Sequence, residues 1–462
     1  MTSYMRSHTG TAWRRAVAMT AIAVAAVACT PSDVLQVTDP DIINPTDVQS
    51  AAGANAVRTG ALGRLNSATS GGSSSSEGLF LLSGLFADEW INGDSFIGRQ
   101  EVDQRVITIQ NSFVTDASRG LHRARLSAQQ ALELLGEFAP TAPGWQPAEM
   151  YLVQAYIENL AAEHFCNGLV FSSVIDGAEV YGSPITTAEA FAKALAHADS
   201  GLTLVTGTTN DDNKVRNALK VVRGRILLNL NRAADAALSV TGVPTTFAYN
   251  MLHSQTTNSN QMWNFNNLAW RYSVGNGEGT NGINFATAAD PRLPVCVGND
   301  AVCKANGVTR TTRDDLTAPL HVQLVWPIRE SSVALTSGIE ARMIEAEAQL
   351  AAQNTAGALA TLNAARTTVT GLTPLVDAGS AAARVNQLFR ERAIWLFGRG
   401  YRLGDMRRLV RQYGRTPDTV FPVGGWHKGG NYGTDMNFPV PQAELNNPNL
   451  PSGGQTCLDR SA

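Results

Sequence analysis

The chain predicts a mainly α-helical protein built from irregular tetratricopeptide-type helix hairpins, interrupted by a loop-rich insertion with short strands. Three observations predict it. Apolar residues recur at helical spacing in a series of paired segments, and alanine, the strongest helix former, is abundant in them. Between residues 241 and 330 both features lapse in favour of Gly, Asn, Thr and aromatics. With 462 residues and 44% hydrophobic content the chain can bury a large core, and a formal net charge of −3 leaves no electrostatic footprint for nucleic acid.

At the N-terminus, Arg6, Arg14 and Arg15 precede an uncharged run over 16–28 that ends in small residues, the pattern of an export signal occupying residues 1–28. That run is too short to span a bilayer as a mature helix. Ala26-Val27-Ala28-Cys29 reads as a lipobox, so cleavage leaves Cys29 as the lipid-bearing first residue; ordinary cleavage after the Ala-x-Ala pattern is the alternative. Residues 29–46, with Pro31, Pro40 and Pro45, read as an extended tether. Residues 47–462 read as the folded domain, opening with a helix over 47–65 capped near Asn44 or Thr46. The polar, low-complexity stretch 67–78 reads as a surface loop.

Helix pairs are expected at 117–135 with 150–165, at 187–205 with 215–240, and at 340–351 with 356–366, and a closing hairpin at 385–413. Hairpins thus occupy about 117–240 and 340–413. In the last one, Gly398-Arg399-Gly400 breaks a run that would otherwise continue as one helix. Arg402, Asp405 and Arg408 are spaced three apart and are expected to pair along one face, with Glu391 and Asp405 as the local carboxylates for the arginines. Because acids interleave with the arginines, an ion-paired brace is favoured over an anion site. The insertion is expected to hold short β-like pieces at 262–265, 270–272 and 322–327.

The same stretch carries a family resemblance. Glu391, Arg392, Leu396, Gly400, Arg402, Asp405, Met406 and Arg408 resemble the C-terminal signature of the SusD/RagB family. Phe438-Pro439-Val440-Pro441, followed by Glu444, Leu445, Asn447, Pro448 and Leu450, resembles that family's closing block, and Asp290-Pro291-Arg292 resembles its element before the variable region. Trp395 and Arg399 depart from the pattern, standing where family members commonly have Glu. The resemblance implies a SusD-like fold with four helix hairpins and a variable, ligand-contacting region at about 241–330. It also implies a surface-exposed outer-membrane lipoprotein, held in the membrane through the lipid on Cys29, that captures an oligosaccharide or peptide without altering it. Its expected partner is a TonB-dependent, SusC-like transporter, and no cofactor or metal is needed.

Of five cysteines, Cys29 is set aside for lipid, leaving Cys166, Cys296, Cys303 and Cys457, an even number in an oxidising setting. Cys296 and Cys303 flank a turn-rich segment suited to a small loop, which leaves Cys166 and Cys457 to pair over long range; free thiols are the alternative. No nucleophile elbow, zinc-helix motif or P-loop is present, and the seven histidines lack metal-ligand spacing. His164 reads as packed within a helix. Asn210-Asp211-Asp212-Asn213 reads as a solvated turn, since it lacks EF-hand spacing. Asp88-Glu89 reads as a capping or ion-pairing couple rather than an acid/base pair.

The positive signal is aromatics beside amides and small residues: Trp90 with Asn92, Trp263 with Asn264 and Asn266, Trp270 with Tyr272, and Trp426 with Tyr432. An indole offers a face to a sugar ring and an amide satisfies hydroxyls, so these are the candidate ligand residues for a glycan and, almost equally, for a peptide. The competing expectation is that the tryptophans pack beneath the loops. Two rival functions stay open: a secreted helical glycoside hydrolase, and a tetratricopeptide-type envelope adaptor.

Overall fold

Caps and small residues decide where the helices begin. The computed structural model describes residues 48–72, 77–175, 178–450, 457 and 460. The export signal, the Cys29 lipid site, the tether and the caps expected at Asn44 and Thr46 lie outside the described residues. Helix α1 (Ala51–Ser70) starts at Ser50, whose hydroxyl accepts the Gly53 N–H at 3.0 Å. It runs into the stretch expected to be a surface loop. The Thr69 hydroxyl donates to the Leu65 carbonyl at 2.8 Å, and the Ser70 hydroxyl donates to Asn66 Oδ1 at 2.9 Å. Hydroxyls satisfied on their own helix are cheap to bury, so residues 69–72 and 77–78 pack inside, against that expectation.

The helices α2 (Gly78–Phe86), α3 (Ile97–Gln104), α4 (Ser112–Phe138) and α5 (Trp145–His164) follow. In α4 the buried Val114, Ala117, Leu121, Ala124, Ala128, Ala131 and Leu135 alternate at intervals of three and four, one straight stripe for its neighbours α1 and α5. Helix α5 is buried nearly all round, and its three interior carboxylates are each engaged from a different element. Glu149 accepts from Arg58 and from the Tyr249 hydroxyl at 2.6 Å, Glu158 from Arg125 at 2.8 Å and His197 at 2.7 Å, and Glu163 from Arg225 at 2.8 Å and Asn229 at 2.7 Å. His164 is packed: its Nδ1 sits 2.7 Å from the Leu160 carbonyl, and burial lowers its pKa to about 4, keeping it neutral.

Next come α6 (Thr187–Leu204), α7 (Asn210–Asn229) and α8 (Ala233–Val240). The single helix expected over 215–240 is therefore two, split where Asn231 takes a left-handed φ of 58°, which Asn tolerates better than most residues. Asn210-Asp211-Asp212-Asn213 is the first turn of α7, with Asp212 and Thr209 forming a reciprocal cap. Helices α9 (Gly338–Ala351), α10 (Thr355–Arg366), α11 (Ala381–Trp395) and α12 (Arg402–Arg411) complete the pairs. Among the described residues no helix is long and apolar enough to cross a membrane.

The insertion is tied down by two-stranded antiparallel pairs. Trp90–Asn92 pairs with Tyr272–Val274, Val295–Val297 with His321–Gln323, and Ala248–Met251 with Val333–Ser337. The β-like piece expected at 262–265 is helical instead: an α-turn at Gln261–Trp263 runs into a π-turn at Asn264–Leu268. Amide side chains explain this. Asn260 Oδ1 accepts the Trp263 N–H, and Asn266 donates to the carbonyls of Tyr272 (2.8 Å) and His321 (3.0 Å) while accepting the Gln323 N–H at 2.9 Å. The buried asparagines do the work of a missing strand.

In the closing hairpin, Gly398 and Gly400 both have positive φ, 68° and 72°. A Cβ would come 3.0 Å from the Trp326 ring at the first and 2.7 Å from the Phe80 ring at the second. The turn carries the brace. Arg392 donates two bonds of 2.8 Å to Asp405, and Arg408 donates a third to it at 2.8 Å while also gripping Glu347. Arg402 does not join Asp405 as its spacing suggested. Asp405 already accepts from two guanidinium groups, so Arg402 forms a bidentate pair of 2.7 and 2.9 Å with the fully buried Asp88. Glu391 likewise leaves its own hairpin and accepts from Arg292 (2.6 and 3.1 Å) and Arg366 (2.7 Å). Arg292, held by Asp290, lies 4.9 Å over Trp395, which accounts physically for the Asp-Pro-Arg element. Disulfides join Cys296 to Cys303 and Cys166 to Cys457; beside the latter, Phe438 hydrogen-bonds His164 and Cys166 through its backbone.

Asp88 thus ion-pairs, and its neighbour Glu89 accepts the Gly398 N–H at 2.8 Å through one oxygen while the other has no partner. Burial pushes the Glu89 carboxyl up from 4.5 to about 8. Two outcomes are expected. Asp405→Ala or Arg402→Ala strands buried charge and lowers stability by ~3–5 kcal/mol in denaturant titration. Because Glu89 holds its proton more tightly when folded, its contribution is complete below the unfolded value of about 4.5 and declines toward pH 8, at about 1.4 kcal/mol per pH unit. Glu89→Gln therefore flattens the fall in stability between pH 5 and pH 8, a slope read from melts in a pH series.

Candidate functional site

Three loops meet at Gly93. Its N–H donates to the Arg271 carbonyl at 2.8 Å, and its carbonyl accepts the Asp315 N–H at 2.7 Å; the Asp314 N–H reaches the Trp270 carbonyl at 3.1 Å. A Cβ on residue 93 would lie 2.7 Å from the Trp270 carbonyl and 2.9 Å from Arg313 Cβ, so only glycine permits the approach. Two non-glycine residues at this junction are held in the left-handed region, Trp270 at φ 56° and Leu316 at φ 66°. Such backbone costs on the order of 1–3 kcal/mol per residue and persists only where surrounding structure holds it.

The loops so joined present an exposed apolar ledge. Phe96 is 51% exposed, Ile97 73% and Leu316 75%. Trp270 is half-buried at its side, its indole resting on the cluster around the Cys296–Cys303 disulfide. Arg310 lies 4.4 Å over the Trp270 ring, and Arg271 lies 5.5 Å from the Phe96 ring and 3.7 Å from Asp314. Exposed apolar side chains on loops joined in this way, with charged groups beside them, mark a contact surface.

The glycine-rich loop 424–433 is latched against this region. Trp426 donates through its indole N–H to Asp103 at 3.0 Å, the Tyr432 hydroxyl donates to Glu278 at 2.9 Å, and Lys428 pairs with Asp315 at 2.6 Å. Burial, reinforced by Asp103, pushes the Glu278 carboxyl up to about 7. Asp103 also contacts His427 at 2.7 Å and accepts the Asn92 N–H.

The candidate ligand residues separate into three groups. Trp90, Asn92 and Tyr272 are completely buried, so they form the floor on which the ledge is built rather than a surface to stack on. Trp90 packs against Tyr272 and Phe397, and the Tyr272 hydroxyl donates to Glu77. Their burial follows from the strand pairing that places Trp90 opposite Val274 and Asn92 opposite Tyr272. Trp426 is 8% exposed and serves the latch with Tyr432. Trp263 and Trp270 are half-exposed, Trp263 with Arg329 at 5.3 Å over its ring. Phe96, Ile97 and Leu316 were not singled out from sequence; the Gly93 junction and the two left-handed residues mark them only in three dimensions.

Other groups are already spent. Cys296, Asp300 and Cys303 come within 4.8 Å of one another, but the two sulfurs are joined and Asp300 accepts the N–H groups of Val297 and Cys303. A 440 Å³ cavity lies by the N-terminus of α6, where the Glu189 carboxylate already caps the helix. Trp90→Ala is expected to lower stability by ~3–5 kcal/mol, as for a deleted core aromatic. Phe96→Ala should stay within roughly 0.5 kcal/mol of wild type, as for an exposed position, and parallel urea titrations distinguish the two.

No protein-family model matches this chain, and no curated protein matches it. Solved structures do. A SusD-like protein from Bacteroides fragilis is 14% identical, over 89% of this chain and 98% of its own, with a TM-score of 0.62. A SusD superfamily protein from Parabacteroides distasonis is 15% identical, over 87% and 99%, with a TM-score of 0.62. A SusD-like carbohydrate binding protein from Bacteroides vulgatus is 14% identical, over 77% and 83%, with a TM-score of 0.53. The chain shares their fold over most of its length.

Proposed function

Starting from this SusD-like fold, we propose that the protein is a non-catalytic nutrient-binding lipoprotein of the outer membrane. Anchored through lipid on Cys29 and exposed at the cell surface, it captures an oligosaccharide or peptide and passes it to a TonB-dependent, SusC-like transporter. The observation that carries the capture step is the ledge of Phe96, Ile97 and Leu316, apolar, exposed and built on strained backbone at Trp270 and Leu316. A binder that performs no chemistry draws its affinity from apolar contact and hydrogen bonds at such a surface. The Bacteroides vulgatus relative in fold, named as carbohydrate binding, supports a saccharide as the first ligand class to test. Of the carboxylates beside the ledge, Asp94 pairs with Arg99, Asp103 accepts from the latch and Glu278 accepts the Tyr432 hydroxyl, so each is engaged within the protein.

The test is calorimetric titration against a panel of oligosaccharides and peptides. Phe96→Ala and Leu316→Ser are expected to weaken binding of the best ligand at least tenfold, about 1.4 kcal/mol or more, with melting temperature unchanged. The ligand should be recovered intact by mass spectrometry. Wild-type affinity in both variants would remove the ledge from the site, and cleaved ligand would transfer the protein to the glycoside hydrolases.

A further inference from the structure

The ledge differs from the core in how its arginines are satisfied. Inside, Arg125, Arg225, Arg392, Arg402 and Arg408 each meet a carboxylate. Arg105, which does not, donates to three backbone carbonyls. Arg313 has neither arrangement. It is 6% exposed, donates only to the Thr317 hydroxyl at 2.9 Å, and its Nε has no partner. A buried guanidinium with one neutral acceptor is costly, and burial lowers its pKa, with Asp315 the largest opposing influence.

Arg310 extends the pattern. It donates to the Thr312 hydroxyl and to the carbonyls of Arg313 and Asp314, with no carboxylate among its partners. Its guanidinium occupies the face of Trp270 that a neutral sugar ring would use. The same holds at Trp263, covered by Arg329. Arg271 reaches Asp314 only at 3.7 Å, with both side chains more than a third exposed or nearly so. The aromatic positions Trp263, Trp270 and Phe96 therefore each carry a guanidinium group, beside the exposed apolar side chains of Ile97 and Leu316. Guanidinium groups take planar carboxylates in pairs of hydrogen bonds, and apolar side chains take the C–H faces of pyranose rings.

Resting on the ledge as the capture surface, we infer that its ligand is an acidic oligosaccharide, a chain of sugar rings bearing carboxylates, with Arg310 and Arg271 as carboxylate ligands and Arg313 behind them. An extended acidic peptide fits less well. The strands nearest the ledge, Trp90–Asn92 and Tyr272–Val274, are buried along their length, so their outer edges are not accessible for a peptide backbone to join.

The probes are oligogalacturonate, a neutral xylo-oligosaccharide of equal length, and an oligoglutamate of equal charge, titrated calorimetrically against the mature protein. Oligogalacturonate is expected to bind at least tenfold more tightly than either comparator, and to lose at least fivefold between 50 and 500 mM salt as its charges are screened. Arg310→Gln and Arg271→Gln should each weaken it at least fivefold with melting temperature unchanged, while Arg310→Lys restores less than half of the lost binding energy because it cannot form the forked pair. Two results overturn the inference and leave capture standing: the neutral oligosaccharide binding as well as the acid in a Phe96-dependent manner, or oligoglutamate matching the saccharide. Absence of binding by the saccharides and oligoglutamate alike, or binding indifferent to both Phe96→Ala and Leu316→Ser, overturns the ledge as the capture surface and the inference with it.

Discussion

The fold depends on desolvated guanidinium–carboxylate pairs that connect elements far apart in the chain. Arg402 reaches Asp88 across 314 positions, Arg408 reaches Glu347 across 61, and Arg225 reaches Glu163 across 62. Each pair must overcome the cost of removing two charges from water, so each demands near-ideal forked geometry and further hydrogen bonds. That demand makes the network specific. A shift of the closing hairpin would break these forked pairs together, whereas apolar packing by alanine-rich helices tolerates sliding.

This network also explains why the ledge can be irregular. The loops at residues 92–97, 270–272 and 310–317 have little regular secondary structure, yet they stand on Trp90, Phe397 and Tyr272, which are wedged against the Gly398 turn. Glu89 links the two layers by accepting the Gly398 N–H from beside Trp90. The left-handed backbone at Trp270 and Leu316 is held by local bonds, the Asp314 N–H to the Trp270 carbonyl and the Leu316 N–H to the Arg313 carbonyl, with the Trp270 indole on the disulfide cluster. The aromatic residues that look most like ligand platforms in the sequence are thus the supports of the platform, and the side chains that face solvent are less conspicuous ones.

The latch loop adds a second level of organisation. Glycines at 424, 429 and 430 with positive φ shape a tight turn whose side chains Trp426 and Tyr432 point back to Asp103 and Glu278. Two carboxyls lie close together there, and with Glu278 raised to about 7 the pair carries less than its formal charge near neutrality. The guanidinium groups of Arg310 and Arg313 in the adjoining loop therefore face less negative charge from this pair.

Sequence alone determined the helix pairs, because an amphipathic helix needs only local spacing and caps to declare itself: α4, α6, α9, α10 and the Gly398–Gly400 break are all legible there. It also determined that the closing hairpin is an ion-paired brace, since interleaved acids and arginines admit few other uses, and its SusD-like pattern agrees with the fold. Tertiary structure decided which charges pair. Spacing placed Arg402 beside Asp405, but Asp405's oxygens are taken by Arg392 and Arg408, and only the folded chain brings Asp88 within reach. It likewise decided which aromatics are exposed. Trp90 and Phe96 sit six residues apart in similar company, and what buries one and bares the other is the register of a strand pair formed with residues 272–274, a contact no local pattern encodes.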